Sequence, residues 1–277
     1  MRVCAITNVL DEDFALPIWL DHYGRQIGVE NCVVVDRGSL ALPPMTGWSL
    51  LQTHRRPFDD AGRCRSMSAL VNTMLGYYDV VLYADCDELL IPDPARYSGL
   101  LDFFSRVEGP VYTAAGLDVL HRLDLEDPLD PRRPILSQRS YGAFNSWLCK
   151  TLATREPIQW GGGFHASSAP PVFNGLYLFH TAMADCGERL KRAAQLRRFE
   201  VTDPTAAPHH RYAPLFTVNV LNKAVTREVR NFDVEAPTLI GDALGSAERG
   251  DDGLYHLRDE VRPPYLLRIP DRFASAV

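Results

Sequence analysis

The sequence predicts an α/β protein with a central, mostly parallel sheet flanked by helices and followed by a C-terminal extension. Two continuous apolar runs, at 3–7 (VCAIT) and 32–36 (CVVVD), enclose a segment of helical spacing, which is a β–α–β pattern. A third, very apolar run at 79–84 follows a second helical segment. Polar residues stand where these runs end, and in open parallel sheets ligands bind beyond the carboxyl ends of the strands, which is where Thr7, Asn8 and Asp36 fall.

Taken in order, the run at 3–7 leads into the acidic turn Asp11-Glu12-Asp13, which suits a helix start. Phe14, Ile18, Trp19, His22, Tyr23 and Ile27 recur at helical spacing, Pro17 lies in the first turns, and Gly28 closes the element. The run at 32–36 reads as a second strand and 49–53 as a third. After a loop through 57–62, Met67, Leu70, Val71, Met74, Leu75 and Tyr78 predict a helix over 66–78. The β-forming run 79–84 then delivers Asp85-Cys86-Asp87-Glu88 at its carboxyl end. Further on, a helix is expected at 98–107, strands at 110–114, 147–153 and 175–180, and an amphipathic helix at 185–200. A Pro- and charge-rich loop covers 124–134, and Trp160-Gly-Gly-Gly163-Phe-His165 forms another. After Thr202 few clear elements can be read, and His209 and His210 are expected at the surface.

The 277 residues, 46% hydrophobic and 23% charged, fit a soluble globular chain with a sizeable core. Residues 1 to about 200 form the expected catalytic domain, and 201–277 an extension packing on it. A formal net charge of −6 speaks against a mainly electrostatic grip on nucleic acid or anionic lipid. The basic cluster Arg189, Lys191, Arg192, Arg197 and Arg198 reads first as a solvated helix face and second as an anion-binding or membrane-facing patch. Six scattered cysteines without a CxxC pair fit neither a zinc knuckle nor a disulfide framework. Met1 leads straight into an apolar run without a basic leader, and no stretch approaches the ~20 apolar residues that span a bilayer. A reduced, cytoplasmic location is therefore expected, with any membrane attachment peripheral or through a partner.

The chemistry concentrates at 85–88. Strand alternation would point Asp85 and Asp87 to one side, where their like charges raise each other's pKa unless a cation lies between them. Oxygen ligands select Mg2+ or Mn2+, which keep positions open for phosphate oxygens. The competing reading is that these four residues merely cap a turn, with Pro92 close behind.

Val3-Cys-Ala-Ile-Thr-Asn8, Glu12, Trp19-Leu-Asp-His22-Tyr, Gly28, Val33-Val-Val-Asp36-Arg-Gly-Ser39 and Tyr83-Ala-Asp-Cys-Asp-Glu-Leu together resemble glycosyltransferases of the family 2 and family 92 type. The resemblance covers about 1–92 and extends more weakly to about 195. It implies a GT-A fold, with a Rossmann-like nucleotide-sugar half at about 1–92 and an acceptor half at about 93–200. It implies that Thr7, Asn8 and Glu12 lie near the nucleobase or ribose, that Asp36 contacts the base or ribose, and that Arg63 meets the diphosphate. Asp85 and Asp87 look like the family's DxD, Asp87 being the stronger metal ligand. Lys150, His165 and His180 look like residues of the acceptor half, with Lys150 on the nucleotide-sugar and His180 as third metal ligand. The family's Asn-Gly-Ser is here Asp36-Arg-Gly-Ser.

The expected function is metal-dependent transfer, with Mn2+ or Mg2+, of a sugar from a nucleoside-diphosphate sugar to a hydroxyl on a glycan, glycolipid or polysaccharide. The resemblance favours a UDP-sugar and inversion. Asp118, Glu88 and His165 are all candidates for the base. One rival is a nucleotidyltransferase, which should carry a Gly-rich phosphate loop that Asn8-Val-Leu-Asp11-Glu12 lacks. The other is a non-catalytic nucleotide-sugar-binding protein of the same fold.

Overall fold

A computed structural model describes residues 1–44, 46–202 and 213–276, so His209 and His210 lie outside the described residues. Val3–Val9 (β1) is buried at every position, as a strand covered on both faces requires. Helix Ala15–Ile27 (α1) packs Leu16, Trp19, Leu20 and Tyr23 inward, and Gly28 ends it with φ 89°, a conformation open mainly to glycine.

His22 of α1 is buried, with its ring nitrogens 3.2 Å from the Ala276 carbonyl oxygen and 3.0 Å from that of Leu90. Burial pushes its pKa down from 6.5 to about 4, against the pull of those two carbonyls. Above pH 6.5 the ring is neutral whether the chain is folded or not. Between 6.5 and 4 only the unfolded chain takes up the proton, so the folded state should lose about 2–3 kcal/mol across that window. Urea midpoints at pH 7.5 and 4.5 for wild type and His22→Gln would measure it, and an equal pH effect in both would refute it.

Strand Cys32–Asp36 (β2) lies parallel to β1, Ser49–Gln52 (β3) lies parallel to β2 at the exposed edge, and helix Asp60–Met74 (α2) crosses to Val80–Tyr83 (β4), parallel to β1 on its other side. The helix starts at residue 60 rather than 66. Asp59 is its N-cap, accepting from the Gly62 N–H at 2.9 Å, and the polar first turn carries no apolar periodicity.

The remaining strands make the sheet mixed. Glu88–Pro92 (β5) was not anticipated. It is followed by helix Leu100–Arg106 (α3), then Val111–Leu120 (β6), Tyr141–Phe144 (β7), Lys150–Thr154 (β8) and Phe173–Met183 (β9). Because β8 is antiparallel to both β4 and β6, strand β6 runs in the direction of β4, and β9 is parallel to β6. The carboxyl ends of β1, β2, β4, β6 and β9 therefore open on one edge of the sheet. Both β6 and β9 outrun the expected spans, which places Asp118 and His180 inside strands rather than at their ends.

Helix Cys186–Leu196 (α4) is capped by Asp185 and packs on Pro214–Val225 (α5). Beyond them lie Val229–Asn231 (β10), Phe232–Gly245 (α6), the small hairpin Ala247–Arg249 (β11) and Tyr255–Leu257 (β12), and Leu266–Arg268 (β13). The 11-stranded sheet reads β10-β13-β7-β6-β8-β4-β1-β2-β3, with β5 and β9 alongside. The tail thus adds two strands, and Phe232 and Phe273 meet Tyr177 edge to face, with ring centroids at 5.3 and 5.6 Å. The architecture is the expected α/β class, parallel throughout its β3-β2-β1-β4 half. Among the described residues no helix is long and apolar enough to cross a membrane.

Candidate active site

Residues 85–88 form a turn between β4 and β5, closed by the Glu88 N–H donating to the Asp85 carbonyl at 2.9 Å. Strand alternation therefore does not govern Asp85 and Asp87, and the two carboxylates diverge. Asp85 faces α2: its Oδ1 accepts from Arg63 Nη1 at 2.8 Å and from the Tyr83 hydroxyl at 2.6 Å. Arg63 also binds Asp60 at 2.9 Å, and Asp60 accepts the Gly163 N–H at 2.7 Å. Burial would push the Asp85 carboxyl up, but Arg63 and Lys150 outweigh it and hold it below the usual range. Arg63, expected to meet a diphosphate, is instead neutralised between two carboxylates and stacks over Phe164 at 4.9 Å.

Asp87 faces the other way. Its backbone carbonyl is fixed by the Thr181 N–H at 2.7 Å, and its Oδ2 lies 3.4 Å from His180 Nε2. On the opposite side of the imidazole, His180 Nδ1 meets Asp118 Oδ1 at 2.6 Å. Sheet register builds this row, because Glu88 of β5, His180 of β9 and Asp118 of β6 stand directly opposite one another. Burial disfavours an imidazolium here, yet the two carboxylates raise the His180 pKa well above 6.5. Asp118 Oδ2 accepts from Asn145 Nδ2 at 3.0 Å, so both its oxygens are held and it orients His180 instead of standing free as a base.

Asn145 precedes a short helical turn at 146–148 that presses on β6 at Gly116. A Cβ built at that glycine would lie 2.1 Å from Leu148 Cβ and 2.4 Å from the Leu148 carbonyl oxygen. Gly116→Ala should cost about 1–3 kcal/mol through overpacking. Urea unfolding measures this, and an unchanged midpoint would show that the turn yields freely.

Glu88 and Lys150 lie beneath the turn, 2% and 4% exposed, joined at 2.6 Å. Glu88 Oε2 accepts the Asp85 N–H at 3.2 Å. In place of the expected base role of Glu88 and nucleotide-sugar contact of Lys150, the structure shows the two side chains closed on each other as a buried pair that supports the turn. His165 Nδ1 is 2.6 Å from the Trp147 carbonyl oxygen, and its Nε2 is not engaged in a hydrogen bond among the described residues. Burial, then Lys150, pushes its pKa down to about 3, so the ring is neutral near pH 7.

In the cradle formed by β1 and β2, Thr7 Oγ1 and Asn8 Oδ1 are buried without partners among the described residues, while Asn8 Nδ2 donates to the Val35 carbonyl at 3.1 Å. Asp36 is fully buried. It accepts from Ser39 N–H at 3.0 Å, Ser39 Oγ at 2.6 Å and Gln52 at 3.4 Å, so it pins its own loop rather than facing a base. Glu12 is paired with Arg192 of α4, which also donates to the Leu10 and Asp11 carbonyls at 3.1 and 2.9 Å. Tyr83, Asn145 and the half-exposed Trp147 were not singled out from sequence. Only the hydroxyl two positions ahead of Asp85 offered a local hint of any of them.

Of the three expected metal ligands, Asp87 and His180 converge and Asp85 turns away. Among the described residues no three His, Cys, Asp or Glu side chains converge on one point. The Asp87–His180 pair nevertheless fits a divalent ion. The two carboxylates favour the imidazolium form of His180, so a divalent ion would take the place of its Nε2 proton, with Nδ1–H still donated to Asp118.

No protein-family model matches this chain, and no curated protein matches it. Among solved structures, mannose-1-phosphate geranyltransferase from Thermus thermophilus aligns at 14% identity over 80% of this chain and 65% of its own, TM-score 0.32. A mannosyltransferase from Pyrobaculum calidifontis, in complex with GDP-Man and Mn2+, aligns at 15% identity over 80% of this chain and 61% of its own, TM-score 0.32. A mycobacterial protein aligns at 14% identity over 100% of this chain and 89% of its own, TM-score 0.34. The chain spans less than two thirds of the length of the first two.

Proposed function

We propose that this chain is a divalent-cation-dependent glycosyltransferase that moves a sugar from a nucleoside-diphosphate sugar to a hydroxyl acceptor, a glycan or glycolipid. The observation that carries the reading is the Asp87–His180 pair, with Asp87 in the turn that follows the parallel strand β4 and His180 oriented by Asp118 of the neighbouring strand β6. The donor lies on the half built from β1 to β4, about 1–92, and the acceptor on 93–200, with 201–277 as an extension. Asp87 and His180 would hold a Mn2+ or Mg2+ ion, which would supply charge neutralisation to a departing diphosphate.

The carboxylates around the turn are held by cations or N–H donors, which leaves none to attack the anomeric carbon. The reading carries single displacement with the inversion that the sequence resemblance favours: the acceptor oxygen bonds to C1, the C1–O bond to phosphate breaks, and the acceptor proton passes to an open base. Of the three candidates His165 Nε2 has that position open, and because burial and Lys150 hold its pKa down to about 3, it would accept the proton only with the negative charge of a bound diphosphate beside it to raise its basicity. His165→Ala should lower kcat by about a hundredfold with donor KM unchanged, and equal kcat would remove it as the base.

The test of the function uses a panel of nucleotide-sugars, UDP-sugars first, with Mn2+ or with EDTA, reading thermal shift and diphosphate release. No stabilisation and no release with any donor would end the proposal. Nucleotidyl transfer would instead release pyrophosphate from a nucleoside triphosphate. It is disfavoured because no glycine occurs between Val9 and Gly24 to form a phosphate loop.

A further inference from the structure

Two arginines flank the acidic turn without a carboxylate of their own. Arg37 follows β2, and its guanidinium lies 5.4 Å from the Phe58 ring centroid, a ring that Arg63 approaches to the same distance. Arg189 sits in the first turns of α4, one helical turn before Arg192. Their neighbours are matched, Arg63 with Asp60 and Asp85, Arg192 with Glu12. Neither Arg37 nor Arg189 makes a side-chain hydrogen bond or ion pair among the described residues, and the Nε of each is buried without a partner.

A guanidinium taken from water without an anion is costly, and its planar fork suits phosphate oxygens. The ring of Phe58 offsets part of that cost for Arg37, while nothing comparable faces Arg189 among the described residues. Burial, then Arg63, lowers the Arg37 pKa to about 10. Burial also lowers that of Arg189, against the pull of Asp87. Both remain cations at neutral pH; the Arg37 backbone N–H donates to the Val9 carbonyl at 2.9 Å and Arg192 to the Leu10 and Asp11 carbonyls, so Arg37 and the helix that carries Arg189 and Arg192 meet at the loop that follows β1.

We infer that Arg37 and Arg189 form a seat for a diphosphate group, so that the chain's own guanidinium groups hold a nucleoside diphosphate even without a divalent ion. The inference rests on the glycosyltransferase reading and assigns its leaving-group site. The diphosphate could belong to a nucleotide or be free pyrophosphate, and the titration separates the two.

The experiment is calorimetric titration of the full chain in EDTA with UDP, GDP, UMP and pyrophosphate, on wild type, Arg37→Gln, Arg189→Gln and the exposed control Arg197→Gln, alongside thermal unfolding without ligand. UDP or GDP should bind wild type without metal. Each site variant should lose about tenfold in affinity, a charge-assisted hydrogen bond's worth, while the control binds as wild type. Unliganded variants should melt no lower than wild type, which a merely structural role would not allow. If a Gln variant does not fold, the Lys variant at that position keeps the charge without the fork and should lose affinity by a smaller factor. Pyrophosphate binding as tightly as UDP would overturn the nucleotide assignment. Metal-only binding of UDP, or unchanged affinity in the variants, would overturn the seat while leaving the transferase standing. Arginine-dependent UDP binding without sugar turnover in Mn2+ would do the reverse.

Discussion

Asp87→Ala is expected to lower Mn2+-dependent donor turnover by about a thousandfold, the scale of removing one preorganised charged group from a developing anion. Asp87 is the carboxylate of the turn that faces outward, and its backbone is anchored independently by Thr181. Truncating its side chain therefore removes the proposed metal ligand without loosening the turn. Asp85→Asn should differ in kind. It uncouples Arg63 and Tyr83 beneath the site, so its loss of activity should come with a lowered melting temperature. Kinetics across a Mn2+ titration separate the two. Asp87→Ala should fail to respond at any concentration while melting near wild type, and a wild-type Mn2+ response in that variant would exclude Asp87 as the metal ligand.

Much of the first half of the fold was legible because it is written locally. The runs that became β1, β2 and β4 are continuous and apolar, and α1 was readable to within a residue from its apolar spacing and Gly28. The start of α2 was missed because its first turn carries Asp60 and Arg63, whose reason for being there is Asp85, far along the chain. The pair of Asp85 and Asp87 was assigned to one side on the assumption that the strand continued, whereas a turn intervenes. His180 and Asp118 were each singled out, but their meeting depends on β6 and β9 pairing in register, which nothing local encodes. The short strands β7, β10 and β13 likewise form only because they complete one another across the sheet edge.

Lys150 and Glu88 form a buried long-range ion pair beneath the turn. They are 62 residues apart in sequence, nearly solvent-free, and joined at 2.6 Å. Lys150→Met leaves the Glu88 carboxylate buried without its cation, and Glu88→Leu leaves an unpaired ammonium. Each single change should cost about 3–5 kcal/mol, because the desolvation already incurred is no longer offset. In a chain of this size that corresponds to roughly a 10 °C fall in melting temperature. The double variant Glu88→Leu with Lys150→Met removes both charges and should recover most of the loss. Activity should not recover with it, since the Asp85 N–H also loses its acceptor on Glu88 and the turn carrying Asp87 is no longer held from below. A double-mutant cycle on melting temperature, run beside the Mn2+-dependent turnover assay, reads both quantities. Single variants as stable as wild type would show that the buried pair carries no net weight, and a fully active double variant would show that the turn holds its shape without Glu88.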